Sequence, residues 1–103
     1  DVIKRRTEFD LNKAKDLYLS FIKNAKKPYF MCDFKTKSII GRGFNFLDLG
    51  SSSQECANSL YEKLREGEKV ADIIIAFEIS YKDELAESVM NRLVKACGKG
   101  LYT

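Results

Sequence analysis

Residues 56–97, CANSLYEKLREGEKVADIIIAFEISYKDELAESVMNRLVKAC, decide the fold. Cys56, Ala57, Leu60, Tyr61 and Leu64 recur at helical spacing, and Gly67 is expected to cap that helix. Val70 to Ile79 is then almost continuously apolar and rich in isoleucine, the pattern of a strand covered on both faces. Asp83, three residues after Ser80, resembles a capping box and opens a second helix. Leu85, Ala86, Val89, Met90, Leu93, Val94 and Cys97 form its apolar stripe, which Gly98 is expected to end. Helix, buried strand, helix is the pattern of a parallel α/β layer.

The upstream half extends the pattern less regularly. Residues 2–9 read as a short first strand or a linker, and Asp10 as the N-cap of a helix. Leu11, Ala14, Leu17, Phe21, Ile22 and Ala25 give that helix one apolar face, and Pro28 requires it to stop near Ala25-Lys26. The aromatic run YFMCDF after Pro28 reads as a strand, and Lys37–Arg42, KSIIGR, as another short one. Ser52 and Glu55 fit a capping box for the helix that carries Cys56. The expected architecture is one open three-layer α/β domain over residues 1–103, with a small, mostly parallel sheet flanked by helices.

Composition excludes several chemistries. The 103 residues contain no histidine, which removes Ser-His and Cys-His nucleophiles, histidine general bases and mixed Cys/His zinc sites. Neither G-x-x-x-x-G-K-[ST] nor G-x-G-x-x-G occurs, and no spacing concentrates carboxylates or lysines, so the chain is not expected to be catalytic by itself. Cys32, Cys56 and Cys97 lie in apolar contexts without a C-x-x-C, as expected of buried free thiols in a cytoplasmic protein. No apolar run approaches a membrane span. The chain begins with Asp1 rather than Met and is therefore expected to be part of something longer.

Charge is unevenly distributed. Residues 1–43 hold 11 Lys and Arg against 5 Asp and Glu, and residues 44–103 hold 7 against 10, within a net charge of +3. A basic amino-terminal half suits a solvated surface, an acidic partner or RNA.

Candidate binding residues follow from three local features. Gly41-Arg42-Gly43 could form an anion-binding turn, glycine permitting close backbone approach and arginine supplying charge. Ser52 opens a helix whose free amides suit an anion. Glu78 and Ser80 follow the buried strand, where open α/β sheets place ligands. Asn91 and Arg92 interrupt the apolar stripe of the last helix, and Glu78 is the expected partner of Arg92.

Ala57-x-x-Leu60-Tyr61-x-x-Leu64-Arg65, then Asp72-x-Ile74, then Val89-Met90-Asn91-Arg92-Leu93-x-Lys95-Ala96, together resemble the C-terminal domain of two-domain threonylcarbamoyl-AMP synthases. The resemblance covers Ala57 to Cys97 and extends weakly upstream through Leu49-Gly50-Ser51. Tyr81-Lys82-Asp83-Glu84 departs from it, standing where the family has a glycine-containing turn. It implies a Rossmann-like fold and an accessory, non-catalytic role in forming threonylcarbamoyladenosine on tRNA. ATP, Mg and threonine would then belong to the catalytic domain of the same polypeptide, which this domain covers or regulates, with no cofactor in this chain. Candidate partners are that catalytic domain and tRNA, with neither membrane nor DNA expected.

The alternatives from the residues alone are an RNA-binding module and a protein-interaction or dimerisation domain. The RNA reading uses Lys4, Arg5, Arg6, Lys26, Lys27, Lys35, Lys37 and Arg42 for phosphates, with Tyr29 and Phe30 stacking on bases.

Overall fold

The computed structural model describes residues 2–4 and 8–97, with side chains from 12 to 96. Its elements alternate strictly: β1 (Val2–Lys4), α1 (Glu8–Lys23), β2 (Pro28–Cys32), α2 (Phe34–Ile40), β3 (Phe46–Asp48), α3 (Ser53–Val70), β4 (Ile73–Phe77) and α4 (Glu84–Cys97). The strands form one sheet in the order β1-β4-β2-β3, every pair parallel, with Phe30 opposite Ile75 on one side and Phe46 on the other.

That order fixes the layers. The connections β1-α1-β2 and β2-α2-β3 run in one direction across the sheet, and β3-α3-β4 runs back. Right-handed crossovers therefore put α1 and α2 on one face and α3 on the other. The core divides accordingly. Ala14, Tyr18, Phe30, Ile40, Ile75 and Phe77 pack on the first face, and Met31, Leu47, Leu60, Ile74, Ala76 and Leu93 on the second. Ile74 and Ile75 thus point to opposite layers, as expected of a strand covered on both sides.

Several local expectations change. Lys37–Arg42 belongs to no strand: residues 34–40 are helical because Asp33 caps α2, its carboxylate accepting from the Thr36 amide, and because Thr36 and Ile40, one turn apart, are both buried. Cap and periodicity override the β preference of the adjacent isoleucines. The strand of this region is Phe46–Asp48 instead. α1 begins before Asp10, so Asp10 is not its cap. Tyr18 rather than Ile22 faces its core, and Ile22 is 48% exposed. α1 ends in a Schellman turn, with Lys26 N–H donating to the Phe21 carbonyl at 2.9 Å and Ala25 N–H to that of Ile22 at 3.1 Å. Ala25 takes the left-handed position at φ 58°.

Gly67 does not cap α3; it lies inside the helix, which runs on to Val70. A Cβ there would sit 2.6 Å from Ile74 Cδ1 and 2.9 Å from Leu47 Cδ1, so the missing side chain lets α3 lie close on the sheet. α4 starts from Asp83, whose Oδ1 accepts from Ala86 N–H at 2.7 Å, and Ser80 takes no part in that cap. The expected end of α4 at Gly98 lies outside the described residues.

Candidate functional site

In an open α/β sheet the natural ligand site is the crevice beyond the carboxyl ends of two adjacent strands whose following helices go to opposite faces. The central pair of this kind is β2, followed by α2, and β4, followed by α4. The first residue beyond β2 is Asp33, which has no exposed surface. Its Oδ1 accepts from Thr36 N–H at 2.7 Å and its Oδ2 from Ser80 N–H at 2.6 Å, so one carboxylate spans the crevice and ties the loop after β4 to the start of α2. Burial alone would raise the Asp33 carboxyl; hydrogen bonding from Ser80 and Thr36 outweighs it and holds the group below the ordinary aspartate range. The Ser80 and Thr36 hydroxyls are buried near the carboxylate without meeting hydrogen-bond geometry, which leaves the two amides as the groups that grip it.

The surrounding polar groups are likewise turned on the protein itself. Phe34 N–H donates to the Gly50 carbonyl at 2.8 Å, and Gly50 N–H to Asp48 Oδ1 at 2.9 Å, which joins the ends of β2 and β3. Ser52 Oγ accepts from Glu55 N–H at 3.1 Å, the expected helix cap. Ser53 Oγ donates to Asp83 Oδ2 at 2.7 Å and so links the starts of α3 and α4. Hydrogen bonds from Ala86 N–H and from Ser53 lower the Asp83 carboxyl. Burial raises the thiols of Cys32 and Cys56, the latter to about 12, and nearby Asp33 adds to both. Burial and then Asp33 also raise the Tyr81 phenol. The crevice is therefore closed and anionic. A triphosphate would meet the Asp33 carboxylate where a nucleotide-binding sheet offers free amides. Among the described residues no group of three Cys, Asp or Glu side chains is placed to hold a metal ion.

The expected site residues do not gather into one place. Ser52 and Ser80 lie at the carboxyl end of the sheet, already engaged as described. The turn of Gly41, Arg42 and Gly43 follows α2, which returns the chain toward the amino ends of the strands, and it lines a different hollow from Glu78. Gly41 (φ 92°) caps α2 and Gly43 (φ 95°) turns the chain toward β3. Arg42 is exposed there, in an open groove of about 940 Å³ shared with Lys37, Phe44 and Phe46. Lys37 Nζ lies 3.6 Å from Asp48 Oδ2 and over the Phe46 ring.

Glu78 and Arg92 line different hollows. Glu78 shares one of about 560 Å³ with Lys82, Asp83, Glu84 and Glu87, whereas Arg92 lies between α3 and α4. Asn91 and Arg92 are both exposed. α4 is held to the sheet side by buried Ala86, Val89 and Leu93, and by Ile79 N–H donating to the Met90 sulfur at 3.5 Å. Phe30, expected to stack on bases, is wholly buried, and Tyr29 is partly buried with Lys27 Nζ 5.9 Å from its ring centre. The side chains of Lys4, Arg5 and Arg6 fall outside the described residues.

Two features went unread in the sequence. Asp33 is a lone aspartate in an aromatic run, and only the strand order shows that it sits at the crevice. Tyr61, 73% exposed, stands at the edge of a hollow of about 370 Å³ floored by Ala57, Leu60 and Leu64 and closed by Arg92 and Lys95. Its signal was present, since these residues all belong to the two helical patterns that carry the family resemblance.

No helix among the described residues is long and apolar enough to cross a membrane. No curated protein matches the chain. The family model described as threonylcarbamoyl-AMP synthase, C-terminal domain, matches residues 4–98, which is nearly the whole domain and includes every element from α1 to α4. With that span matched in an all-parallel sheet between two helical layers, the chain belongs to the family of threonylcarbamoyl-AMP synthase C-terminal domains, and through it to tRNA modification.

Proposed function

We propose that this chain is a non-catalytic accessory domain of a cytoplasmic threonylcarbamoyl-AMP synthase, acting on a catalytic domain of the same polypeptide that binds ATP, Mg and threonine. The observation that carries this reading is the Asp33 carboxylate across the β2–β4 crevice, bonded to the amides of Thr36 and Ser80. It fills with the protein's own anion the place where a sheet of this topology would hold a nucleotide. The domain's contribution is then its surface, which orders or covers the neighbouring nucleotide site.

The test is ATP-dependent formation of threonylcarbamoyl-AMP by the synthase with and without this domain, paired with calorimetric titration of this chain with Mg-ATP. Loss of product on removal, with no heat of binding to the isolated chain, is expected. Saturable Mg-ATP binding to the isolated chain, abolished by Ser80→Pro but not by charge changes elsewhere, would overturn the non-catalytic reading.

A second reading has one observation in its favour. The groove along β3 combines Lys37 and Arg42 with Phe34, which is 51% exposed, and with Phe44 and Phe46. Aromatics among cations suit single-stranded RNA, and therefore a segment of tRNA. Binding of tRNA that weakens steeply with salt and is lost in Arg42→Glu would favour it; binding that ignores salt, or none, would remove it.

A further inference from the structure

We propose that Met90 is a reversible oxidation site, and that the state of its sulfur, thioether or sulfoxide, sets whether the loop after β4 is held to α4. The proposal goes beyond the accessory-domain reading and stands without it.

The chain has two methionines, and the fold treats them differently. Met31 lies in β2 with no exposed surface. Met90 lies on α4, partly buried at the margin of the same core layer, and lines the hollow of about 560 Å³ after β4. Its sulfur is also engaged. Met90 Sδ accepts from Ile79 N–H at 3.5 Å, and the next amide, Ser80 N–H, donates to Asp33 Oδ2 at 2.6 Å. Two successive amides of one loop are thus gripped by side chains of two different elements, the cap of α2 and the middle of α4. A carboxylate offers a mild oxidant nothing to act on, whereas a thioether does.

Hydrogen peroxide is the oxidant. The sulfur gives an electron pair to one peroxide oxygen and the O–O bond breaks. The departing hydroxide takes the proton of the transferred oxygen, leaving sulfoxide and water. Sulfur is oxidised and the peroxide reduced by that same pair.

The product fits the site badly, because an apolar side chain has become polar and chiral. Turned toward the core, the new oxygen meets the apolar layer on which Met90 packs. Turned toward the hollow, it brings the negative end of the S–O dipole among Glu78, Asp83, Glu84 and Glu87, with Lys82 the one cation among the described residues of that lining. Either way the side chain shifts and the Ile79 amide loses its partner. Of the two grips on the loop, that of Asp33 remains.

The test treats the full, folded synthase polypeptide with dilute hydrogen peroxide and locates the added oxygen by mass spectrometry of tryptic peptides. Residues 83–92 form such a peptide, with Met90 and no cysteine, which separates thioether from thiol oxidation. Met90 should gain oxygen on the order of tenfold faster than Met31. Amide exchange across residues 78–82 should then quicken on the order of tenfold, as expected for one lost hydrogen bond. Treatment with methionine sulfoxide reductases for both epimers should restore it. Met90→Leu keeps the apolar bulk without the sulfur, so it should exchange quickly from the start and ignore peroxide. Equal oxidation of Met31 and Met90 would overturn the site. Oxidised Met90 with unchanged exchange, exchange that the reductases fail to restore, or a peroxide response that survives in Met90→Leu would overturn the switch.

Discussion

Replacing Asp33 should unlock the carboxyl end of the sheet. The side chain has no exposed surface and accepts two short hydrogen bonds, from Thr36 N–H at 2.7 Å and Ser80 N–H at 2.6 Å. Asp33→Ala removes the N-cap of α2, worth about 1 kcal/mol. It also strands the Ser80 amide, a loss of about 1.5–3 kcal/mol for a hydrogen bond to a charged acceptor. The sum is about 2.5–4 kcal/mol, a large share of the roughly 5–15 kcal/mol that holds a typical domain folded. At about 4 °C per kcal/mol for a domain of this size, the melting temperature should fall by on the order of 15 °C. Asp33→Asn keeps one acceptor but turns an amide N–H₂ toward a backbone N–H, so its loss should be about 2 kcal/mol.

Circular dichroism during thermal and urea unfolding measures both variants. The pH dependence supplies a sign. The folded-state pKa of Asp33 lies below its unfolded value, so its contribution is complete above the unfolded pKa of about 4 and disappears as pH falls through the folded value. The stability gap between the native chain and Asp33→Asn should therefore be widest near neutral pH and narrow below about pH 4. An Asp33→Ala chain within about 1 kcal/mol of the native one, or a gap that widens on acidification, would refute the reasoning.

Other expectations are more local. Ala25→Gly should raise unfolding stability by about 0.5–1 kcal/mol in urea titrations, because glycine adopts the left-handed turn after α1 without the Cβ strain of alanine. Phe30→Ala should lower it by about 3–5 kcal/mol, since that fully buried ring packs against Tyr18, Phe44, Phe46 and Phe77. In a Cys97→Ser background, Cys32 and Cys56 should react with an aromatic disulfide reagent only as fast as the chain opens. Both are buried and their thiols are raised by that burial, so denaturant should accelerate labelling far more than a modest rise in pH does.

Much of the architecture is legible along the chain because it depends on short-range pattern. The isoleucine run of β4 announces a strand covered twice. The Ser52–Glu55 pair announces the start of α3, and the stripe from Ala86 to Leu93 announces α4. Where reading failed, two local preferences competed. KSII has strand-forming residues, yet the carboxylate of Asp33 and the turn-spaced burial of Thr36 and Ile40 make it helix. Gly67 has the composition of a helix end, but its missing side chain serves close packing on Leu47 and Ile74.

By itself, then, the sequence determined the helix, buried strand, helix order from α3 to α4, the absence of histidine chemistry and the two helical patterns that mark the family. Those depend on residue type and on spacing within a few turns. Only the tertiary structure decided which strand ends meet and which helices share a face, because strand order is set by contacts between residues far apart in the chain. That order puts Asp33 beneath Ser80, 47 residues away, and closes the crevice where a ligand was expected. It also sets α3 beside α4, so that Tyr61, Arg92 and Lys95, which the sequence places on two separate helices, border one hollow.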